Sequence, residues 1–279
     1  MKIFKGLHKY MNKPLPSNAQ KDFFRSLTYL EKHAVEVFDY RDVQSGNPNN
    51  KVMITCEHAT NKTHNYIFPK EEQHWLDTHW GYDIGAKDMG IELSESAKIL
   101  SVYSNFSRLL IDPNRSLISD TLIRKKVEKN VELFLNNNDN VDREKRINMF
   151  YMPYYKVLWE ALDFVKPKYL ISSHSFTKQY EDHDERKFEV GILFREKSLL
   201  SDLIESEYKR EGVNYRINEP YHPNEGVCHA MDCISTYKWP EWYTQVVLLE
   251  FRNDYCNDKK WRKKQVEMLT KVVDYLKEH

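Results

Sequence analysis

The chain alternates short apolar runs with longer stretches in which apolar residues recur every three or four positions. Short runs bounded by polar residues predict buried strands at 51–55, 97–103, 109–111, 169–173, 190–194 and 246–251. The periodic stretches predict helices at 21–38, 86–96, 117–135, 143–165, 198–211 and 258–277. Within 143–165, Pro153 either kinks the helix or begins a new one. Strands alternating with such helices predict an α/β fold, a three-layer sandwich with a mostly parallel or mixed central sheet flanked by helices.

The domain organisation follows from length and from the absence of dividing features. At 279 residues and 33.5 kDa, the chain is long enough to bury a substantial core. We find no internal repeat and no linker, so residues 21–279 are predicted to form a single catalytic domain. Residues 1–20 carry four lysines and no acid, and they are predicted to form a loose arm. Whether that arm is a targeting segment stays open.

Composition excludes several function classes. The 42 basic and 42 acidic residues cancel, which gives no electrostatic case for a nucleic-acid or anionic-membrane partner. No apolar run approaches about 18 residues, so no membrane span is predicted. Motifs of the types GxGxxG, GxxxxGK[ST] and GxSxG are absent. The four cysteines form no CxxC pair, which favours free thiols in a reducing, cytoplasmic compartment.

Four predicted strands end in side chains that can carry chemistry. These side chains are Glu57 and His58, Asn114 and Arg115, His174, and Glu250. In open α/β sheets, ligands bind where strands end. Each case alone has an ordinary explanation, such as a structural histidine or an ion pair between Glu250 and Arg252. Four cases in one chain favour a common site.

The residue types in this set are those of a metal-dependent amide hydrolase. Two imidazoles and a carboxylate are the protein ligands of many catalytic Zn²⁺ sites. A further carboxylate can move the proton of the attacking water. Arginine and asparagine can hold a substrate carboxylate and polarise a carbonyl. We therefore expect one Zn²⁺ per chain, or another divalent metal, and a small-molecule substrate with a carboxylate.

Six short motifs resemble those of the N-formylglutamate amidohydrolase family, in that family's order and over residues 52–254. They are Cys-Glu-His-Ala at 56–59, Trp-Gly-Tyr-Asp-Ile-Gly-Ala at 80–86, Ser-Arg-Leu through Asp-Pro-Asn-Arg at 107–115, His-Ser-Phe at 174–176, Asn-Glu-Pro-Tyr at 218–221, and Leu-Glu-Phe-Arg-Asn-Asp at 249–254. The resemblance implies a fold like that of zinc carboxypeptidases and aspartoacylase. It also implies zinc-dependent cleavage of an N-acyl, possibly N-formyl, amino acid.

Position by position, the resemblance implies roles for individual residues. His58 and His174 are expected to bind the metal, and Glu250 to act as general base and acid. Substrate binding is expected from Asn114 and Arg115. Two further substrate-binding candidates are Arg108, a cation near that motif, and His229, in a segment predicted to be irregular.

The third metal ligand is open between two carboxylates. Zinc carboxypeptidases place a glutamate three residues after the first histidine, where this chain has Asn61. Asp83 is the preferred candidate, although it could instead cap the helix that follows it. Glu57 is the competitor, but adjacent residues of a strand point to opposite faces.

Two departures from the family pattern bear on function. Thr60 and Asn61 stand where family members often carry Gly-Asn, and residues 181–187 form a charged loop predicted to be exposed. The charged loop predicts that the substrate end of the pocket differs from one for N-formylglutamate. Thr60 and Asn61 are the support for the alternative hypothesis, a non-catalytic member of the same scaffold that acts as a ligand-binding or regulatory module. Nucleic-acid binding through the lysine-rich stretches is disfavoured by the neutral net charge. No pattern predicts the oligomeric state.

Overall fold

A computed structural model describes residues 27–41, 51–137, 142–236 and 243–279. The strands are β1 (Val35–Asp39), β2 (Val52–Cys56), β3 (Leu100–Ser104), β4 (Tyr169–Phe176), β5 (Val190–Leu193), β6 (Tyr215–Ile217) and β7 (Gln245–Arg252). Within the described residues they form one seven-stranded sheet in the order β1-β3-β2-β4-β7-β5-β6. The predicted N-terminal arm, residues 1–20, lies outside the described residues.

The sheet is mixed, with a parallel centre. Strands β3, β2, β4 and β7 run parallel to one another. At one edge β1 is antiparallel to β3, and at the other β5 is antiparallel to β7 and parallel to β6. Because the four central strands share a direction, their carboxyl ends meet at one edge. This architecture confirms the predicted fold class.

The helices are α1 (Tyr29–Ala34), α2 (Ala86–Ala97), α3 (Phe134–Asn137), α4 (Arg143–Arg146), α5 (Met152–Val165), α6 (Leu199–Arg210), α7 (His229–Thr236), α8 (Asn253–Cys256) and α9 (Lys259–Glu278). A π-helical turn, Ile147–Tyr151, joins α4 to α5, and Pro153 lies in the first turn of α5. Pro153 therefore begins a new helix after the π-turn. Short 3₁₀ helices span Gln73–Asp77, Glu128–Asn130 and Pro223–Glu225. Among the described helices, none is both long and apolar enough to span a membrane.

Two apolar cores cover the two faces of the sheet. Helices α2, α6 and α9 contribute to one core, and α1, α5 and α7 to the other. Strand residues alternate between them: Val52 and Ile54 enter the core with α9, whereas Met53 enters the core with α5. The same alternation puts residues 170, 172 and 174 of β4, and 246, 248 and 250 of β7, on the α5 side. His174 and Glu250 therefore share a face.

The predicted helix at 21–38 is wrong over its last part, and residues 21–26 lie outside the described residues. Helix α1 begins at a capping box in which Thr28 and Glu31 exchange hydrogen bonds. It ends at Ala34, because Val35 is extended, with φ −141° and ψ 142°. The following residues pair with β3 as an edge strand. Pairing with the free edge of β3 outweighs the helical spacing of the apolar residues.

Two other predictions in the middle of the chain are also wrong. The apolar run 109–111 forms no strand; its residues are fully buried in a turn and pack into the core with α5. The stretch 117–135 is not a long helix, because Lys129 and Asn130 have φ values of 51° and 63°. That stretch holds only a 3₁₀ turn and the start of α3. The short strand β6 and helix α7 were not predicted.

Candidate metal centre and active site

Two imidazoles and a carboxylate converge at the carboxyl end of the parallel strands. His58 follows β2, His174 lies in β4, and Asp83 lies in the loop before α2. Asp83 Oδ2 is 2.7 Å from His174 Nδ1 and 3.3 Å from His58 Nδ1. One donor atom from each of the three residues lies within 4.8 Å of the others, and all three residues are buried. Asp83 is not the cap of α2, since that position is Gly85.

The far nitrogen of each imidazole meets a second carboxylate. His58 Nε2 donates to Asp112 Oδ1 at 2.7 Å, and His174 Nε2 donates to Glu57 Oε2 at 2.8 Å. Glu57 is therefore outside the converging group and lies on the opposite side of the His174 ring from Asp83. A carboxylate on the far nitrogen fixes the tautomer and orientation of an imidazole, which is the usual arrangement behind a metal-binding histidine.

The electrostatics of this group favour a bound cation. Burial acts to raise the pKa of Glu57, but hydrogen bonds from His174 and Ser172 lower it to about 2. Burial acts to lower the pKa of His174, but Asp83 and Glu57 raise it to about 10. The pKa of Asp83 is lowered despite burial, because both imidazoles stabilise its charge. Ionised carboxylates thus surround a point where positive charge is stabilised.

The donor set fits zinc. Two imidazole nitrogens and one carboxylate oxygen are a catalytic zinc ligand set, and such sites keep a further position for water or substrate. The Nδ1 atoms of His58 and His174 face Asp83, while their Nε2 atoms are held by other carboxylates. Asn61, at the position of the glutamate in zinc carboxypeptidases, donates instead to Asp77 at 2.7 Å.

Glu250 lies beside this group on the neighbouring strand. In β7 it pairs in register with His174 of β4 and with Gly191 of β5. It is 5% exposed, and its Oε2 atom is buried without a hydrogen-bond partner among the described residues. Burial raises the pKa of Glu250 to about 8. The ion pair with Arg252 is not formed, because Arg252 pairs with Asp254 at 2.8 Å.

Gly191 lets the chain pass close to Glu250. A Cβ atom at this position would lie 2.0 Å from the Glu219 carbonyl oxygen and 3.2 Å from the Glu250 Cβ. No ordinary contact is that short, so only glycine fits between these two segments. Gly191 thereby fixes the wall of the site on the Glu250 side.

A cavity of about 300 Å³ connects these groups, a size suited to a small molecule. Its lining includes His58, Asp83, His174, Glu250, Asn114, Arg108, Arg115, Arg124, Arg186, Trp80, Tyr180 and Tyr221. Most of the residues predicted from the sequence thus meet here. Glu57 lies behind His174, and His229 is outside the lining, with its ring against Tyr155.

The four arginines of the cavity differ in their partners. Arg108 is 3.3 Å from Asp83 and 2.9 Å from Asp112, so its charge is compensated. Arg115 donates to the main-chain carbonyls of Asn114 and Val227. Asn114 itself accepts from the Ala230 amide through Oδ1 at 3.0 Å. Its Nδ2 group is therefore the end available to a ligand.

Arg124 and Arg186 have no carboxylate within 4.0 Å in the described part of the chain. The guanidinium of Arg124 stacks on Trp80 at 5.2 Å, and that of Arg186 stacks on Tyr221 at 5.4 Å. Burial and repulsion from Arg108 lower the pKa of Arg124. Two stacked, uncompensated cations in one cavity are suited to an anionic ligand.

The sequence reasoning did not identify three of these residues. Arg124 opens an Arg-Lys-Lys run, a pattern typical of a solvated helix face, and Arg186 lies in the segment 181–187, which the sequence predicts to be an exposed charged loop. Asp112 was seen only as part of the Asp-Pro-Asn-Arg motif. No periodicity marks the arginines, because both lie in irregular segments. Asp112 could have been suspected from its place in the motif.

Comparison with known proteins identifies the family and the fold of the chain. The sequence profile of the N-formylglutamate amidohydrolase family matches residues 50–256. No curated relative matches the chain. The fold is similar to that of a gene product from Agrobacterium tumefaciens, with a TM-score of 0.73 and 26% identity, covering 90% of this chain and 97% of that one. It is also similar to the N-formylglutamate amidohydrolase from Ralstonia eutropha, with a TM-score of 0.61 and 16% identity, covering 88% and 97%.

At 16% identity, the second likeness concerns the fold alone. The profile match covers most of the chain and includes the strand ends that carry His58, His174 and Glu250. The chain therefore belongs to the N-formylglutamate amidohydrolase family and is a hydrolase of amide bonds.

Proposed function

We propose that the protein is a zinc-dependent amidohydrolase that cleaves an N-acyl amino acid, N-formyl included. His58, Asp83 and His174 would hold one Zn²⁺ or another divalent metal. When bound, such a metal supplies a Lewis acid that polarises an amide carbonyl and acidifies water. The observation that carries the proposal is the convergence of these three donors in one cavity with Glu250, whose Oε2 atom has no partner in the described part of the chain.

Glu250 would move the proton of the reaction. It takes a proton from the attacking water and returns it to the leaving amine, so the products are a carboxylate and an amino acid. Its Oε2 atom has no hydrogen-bond partner among the described residues, so it can accept and release that proton without breaking another hydrogen bond. Its strand pairing with His174 keeps the two side chains on one face.

Asn114 and Arg115 would bind the α-carboxylate of the substrate. Asn114 offers its Nδ2 hydrogens, while the main-chain contacts of Arg115 hold its guanidinium in a fixed place. Arg108 is paired with two carboxylates, so it would help to orient the substrate without adding net positive charge to the cavity. His229 would affect substrate binding only through the position of helix α7, since its ring does not line the cavity.

The uncompensated charges of Arg124 and Arg186 favour a substrate with a second negative group. An N-acyl amino acid with an acidic side chain carries one carboxylate for Asn114 and Arg115 and a second for Arg124 and Arg186. Because both guanidiniums are stacked on aromatic rings, little side-chain entropy is lost when they bind an anion. We therefore place N-acyl derivatives of acidic amino acids first among the substrates.

The test is hydrolysis of a panel of N-acyl amino acids by protein loaded with zinc. The panel pairs N-formyl-L-glutamate with N-formyl-L-leucine, and N-acetyl-L-glutamate with N-acetyl-L-leucine. We expect turnover with a preference for the acidic member of each pair, its loss on treatment with a chelator, and its return with zinc. Protein that takes up no stoichiometric zinc on titration and hydrolyses none of the panel would instead support a non-catalytic binding module.

A further inference from the structure

One buried carboxylate, Asp112, contacts both His58, a candidate metal ligand, and Asn114, which together with Arg115 forms the candidate substrate clamp. It is 2% exposed. Its Oδ1 atom accepts from His58 Nε2 at 2.7 Å and from the main-chain N–H of Asn114 at 2.8 Å. Its Oδ2 atom accepts from Arg108 at 2.9 Å and lies 3.9 Å from Arg115 Nη1. A single side chain thus joins two parts of the site.

The carboxylate behind the other histidine is placed differently. Glu57 accepts from His174, from the Tyr154 hydroxyl at 2.9 Å and from the Ser172 hydroxyl at 2.6 Å. All of these contacts are to groups of the core or to the histidine itself. Glu57 therefore orients one metal ligand and has no hydrogen bond to the residues that would bind substrate. It is the natural control for Asp112.

The turn that follows Asp112 is held from its other side. The Tyr155 hydroxyl donates to the Pro113 carbonyl at 2.7 Å, and the Tyr151 hydroxyl donates to the Arg115 carbonyl at 2.9 Å. With both sides anchored, the turn has little room to move independently of Asp112. A displacement of the Asp112 carboxylate would therefore shift the main chain at Asn114 as well as the His58 ring.

We propose that Asp112 is a positioning residue that couples the metal ligand His58 to the substrate clamp formed by Asn114 and Arg115. The inference rests on the proposed function, because it assumes a metal at His58 and a substrate at the clamp. The Asp112 carboxylate orients the His58 ring through Nε2, which favours metal binding at Nδ1. The same carboxylate accepts from the Asn114 amide and thereby fixes the clamp relative to that metal. Occupancy of either place should then favour occupancy of the other, since coupling between sites is reciprocal.

The test compares Asp112→Asn with Glu57→Gln. Both remove one negative charge from behind a metal-binding histidine. Zinc affinity is measured by competition with a chromophoric chelator, and KM and kcat at saturating zinc with the best substrate of the panel. We expect both variants to bind zinc about 10–100-fold more weakly. Only Asp112→Asn should also raise KM, by about tenfold or more, because only it loosens the clamp.

Two results would overturn the coupling: zinc affinity of Asp112→Asn equal to that of the wild type, or the same KM in both variants. A third variant, Tyr155→Phe, loosens the turn from the other side; it should raise KM and, because Asp112 links the turn to His58, also weaken zinc binding, by less than Asp112→Asn does. Failure of the wild type to bind zinc or to turn over any substrate would instead refute the proposed function. The two failures are therefore distinguishable.

A measurement on the wild type keeps the inference testable if Asp112→Asn does not fold. In zinc-loaded protein with ¹⁵N-labelled histidine, the Nε2–H proton of His58 should be protected from exchange with water. Addition of L-glutamate, the product of the acidic substrate, should shift this signal more than the corresponding signal of His174. An unprotected His58 proton, or a larger shift at His174, would contradict the role of Asp112.

Discussion

Replacement of Glu250 by glutamine tests the proposed chemistry most directly. Glutamine has the same shape as glutamate but cannot accept the proton of water. The Oε2 atom of Glu250 has no hydrogen-bond partner among the described residues, so the substitution breaks no hydrogen bond at that atom. The strand that carries it, β7, stays paired between β4 and β5. Fold and zinc content should therefore be retained while the reaction slows.

The size of the loss follows from the role of the group. General acid–base catalysis contributes about 10²–10⁴-fold to a rate, which corresponds to roughly 3–5 kcal/mol of barrier. We expect kcat of Glu250→Gln to fall by that factor, with KM changed little, because Glu250 is not part of the substrate clamp. Stability should change little, because Oε2 makes no hydrogen bond among the described residues that the substitution could remove.

The assay measures turnover at saturating substrate, zinc by elemental analysis and the thermal unfolding midpoint on the same samples. Glu219→Gln is the matched control, because Glu219 is an exposed glutamate near the same wall of the site. It should retain wild-type kcat. If Glu250→Gln keeps its zinc and its kcat stays within about threefold of the wild type, Glu250 is not the base, because a loss of at least 10² is expected.

Three other results are expected. In steady-state kinetics, Arg124→Gln and Arg186→Gln should each raise KM for the acidic substrate about 10–100-fold and leave KM for the leucine derivative nearly unchanged. An equal rise of KM for the two substrates would argue against a second anion subsite. Gly191→Ala should lower the free energy of unfolding by roughly 1–3 kcal/mol in urea titrations, because its Cβ would meet a carbonyl oxygen at 2.0 Å; wild-type stability would refute that steric reading. Burial raises the pKa of the Cys228 and Cys256 thiols to about 12 from an ordinary value of 9.0. Because the thiols of the unfolded chain ionise first, the stabilising contribution of these two thiols should be fully present below pH 9 and should decline as the pH rises toward 12. A urea midpoint that stays constant across this range would contradict this expectation.

The strand ends could be predicted because buried strands are apolar runs in the sequence, whereas the side chains that can carry chemistry are polar or charged. In β2, β4 and β7, apolar residues are needed on both faces of the sheet, and the polar residues after each apolar run lie toward the carboxyl edge of the sheet. His58, His174 and Glu250 were found in this way. Their convergence required only that parallel strands end on the same side.

The remaining errors have a different origin. Residues 109–111 are as apolar as a strand, but they are buried in a turn with no neighbouring strand to pair with. The helical spacing at 21–38 ignored the free edge of β3, which β1 covers. The sequence does not place Arg124 and Arg186 in the cavity, because a run of charged residues looks the same whether it lines a cavity wall or an exposed surface. Tertiary contacts decide all of these cases, and local pattern does not contain them.

The two halves of the site stand on different kinds of structure. His58, His174 and Glu250 lie within or next to strands of the parallel part of the sheet, and Asp83 precedes helix α2. Arg124 and Arg186 lie in irregular segments. Loops tolerate insertion and substitution far better than central strands. Under the proposed function, exchanging the segments around 124 and 186 should therefore change which acyl amino acid is accepted and leave the candidate metal centre in place.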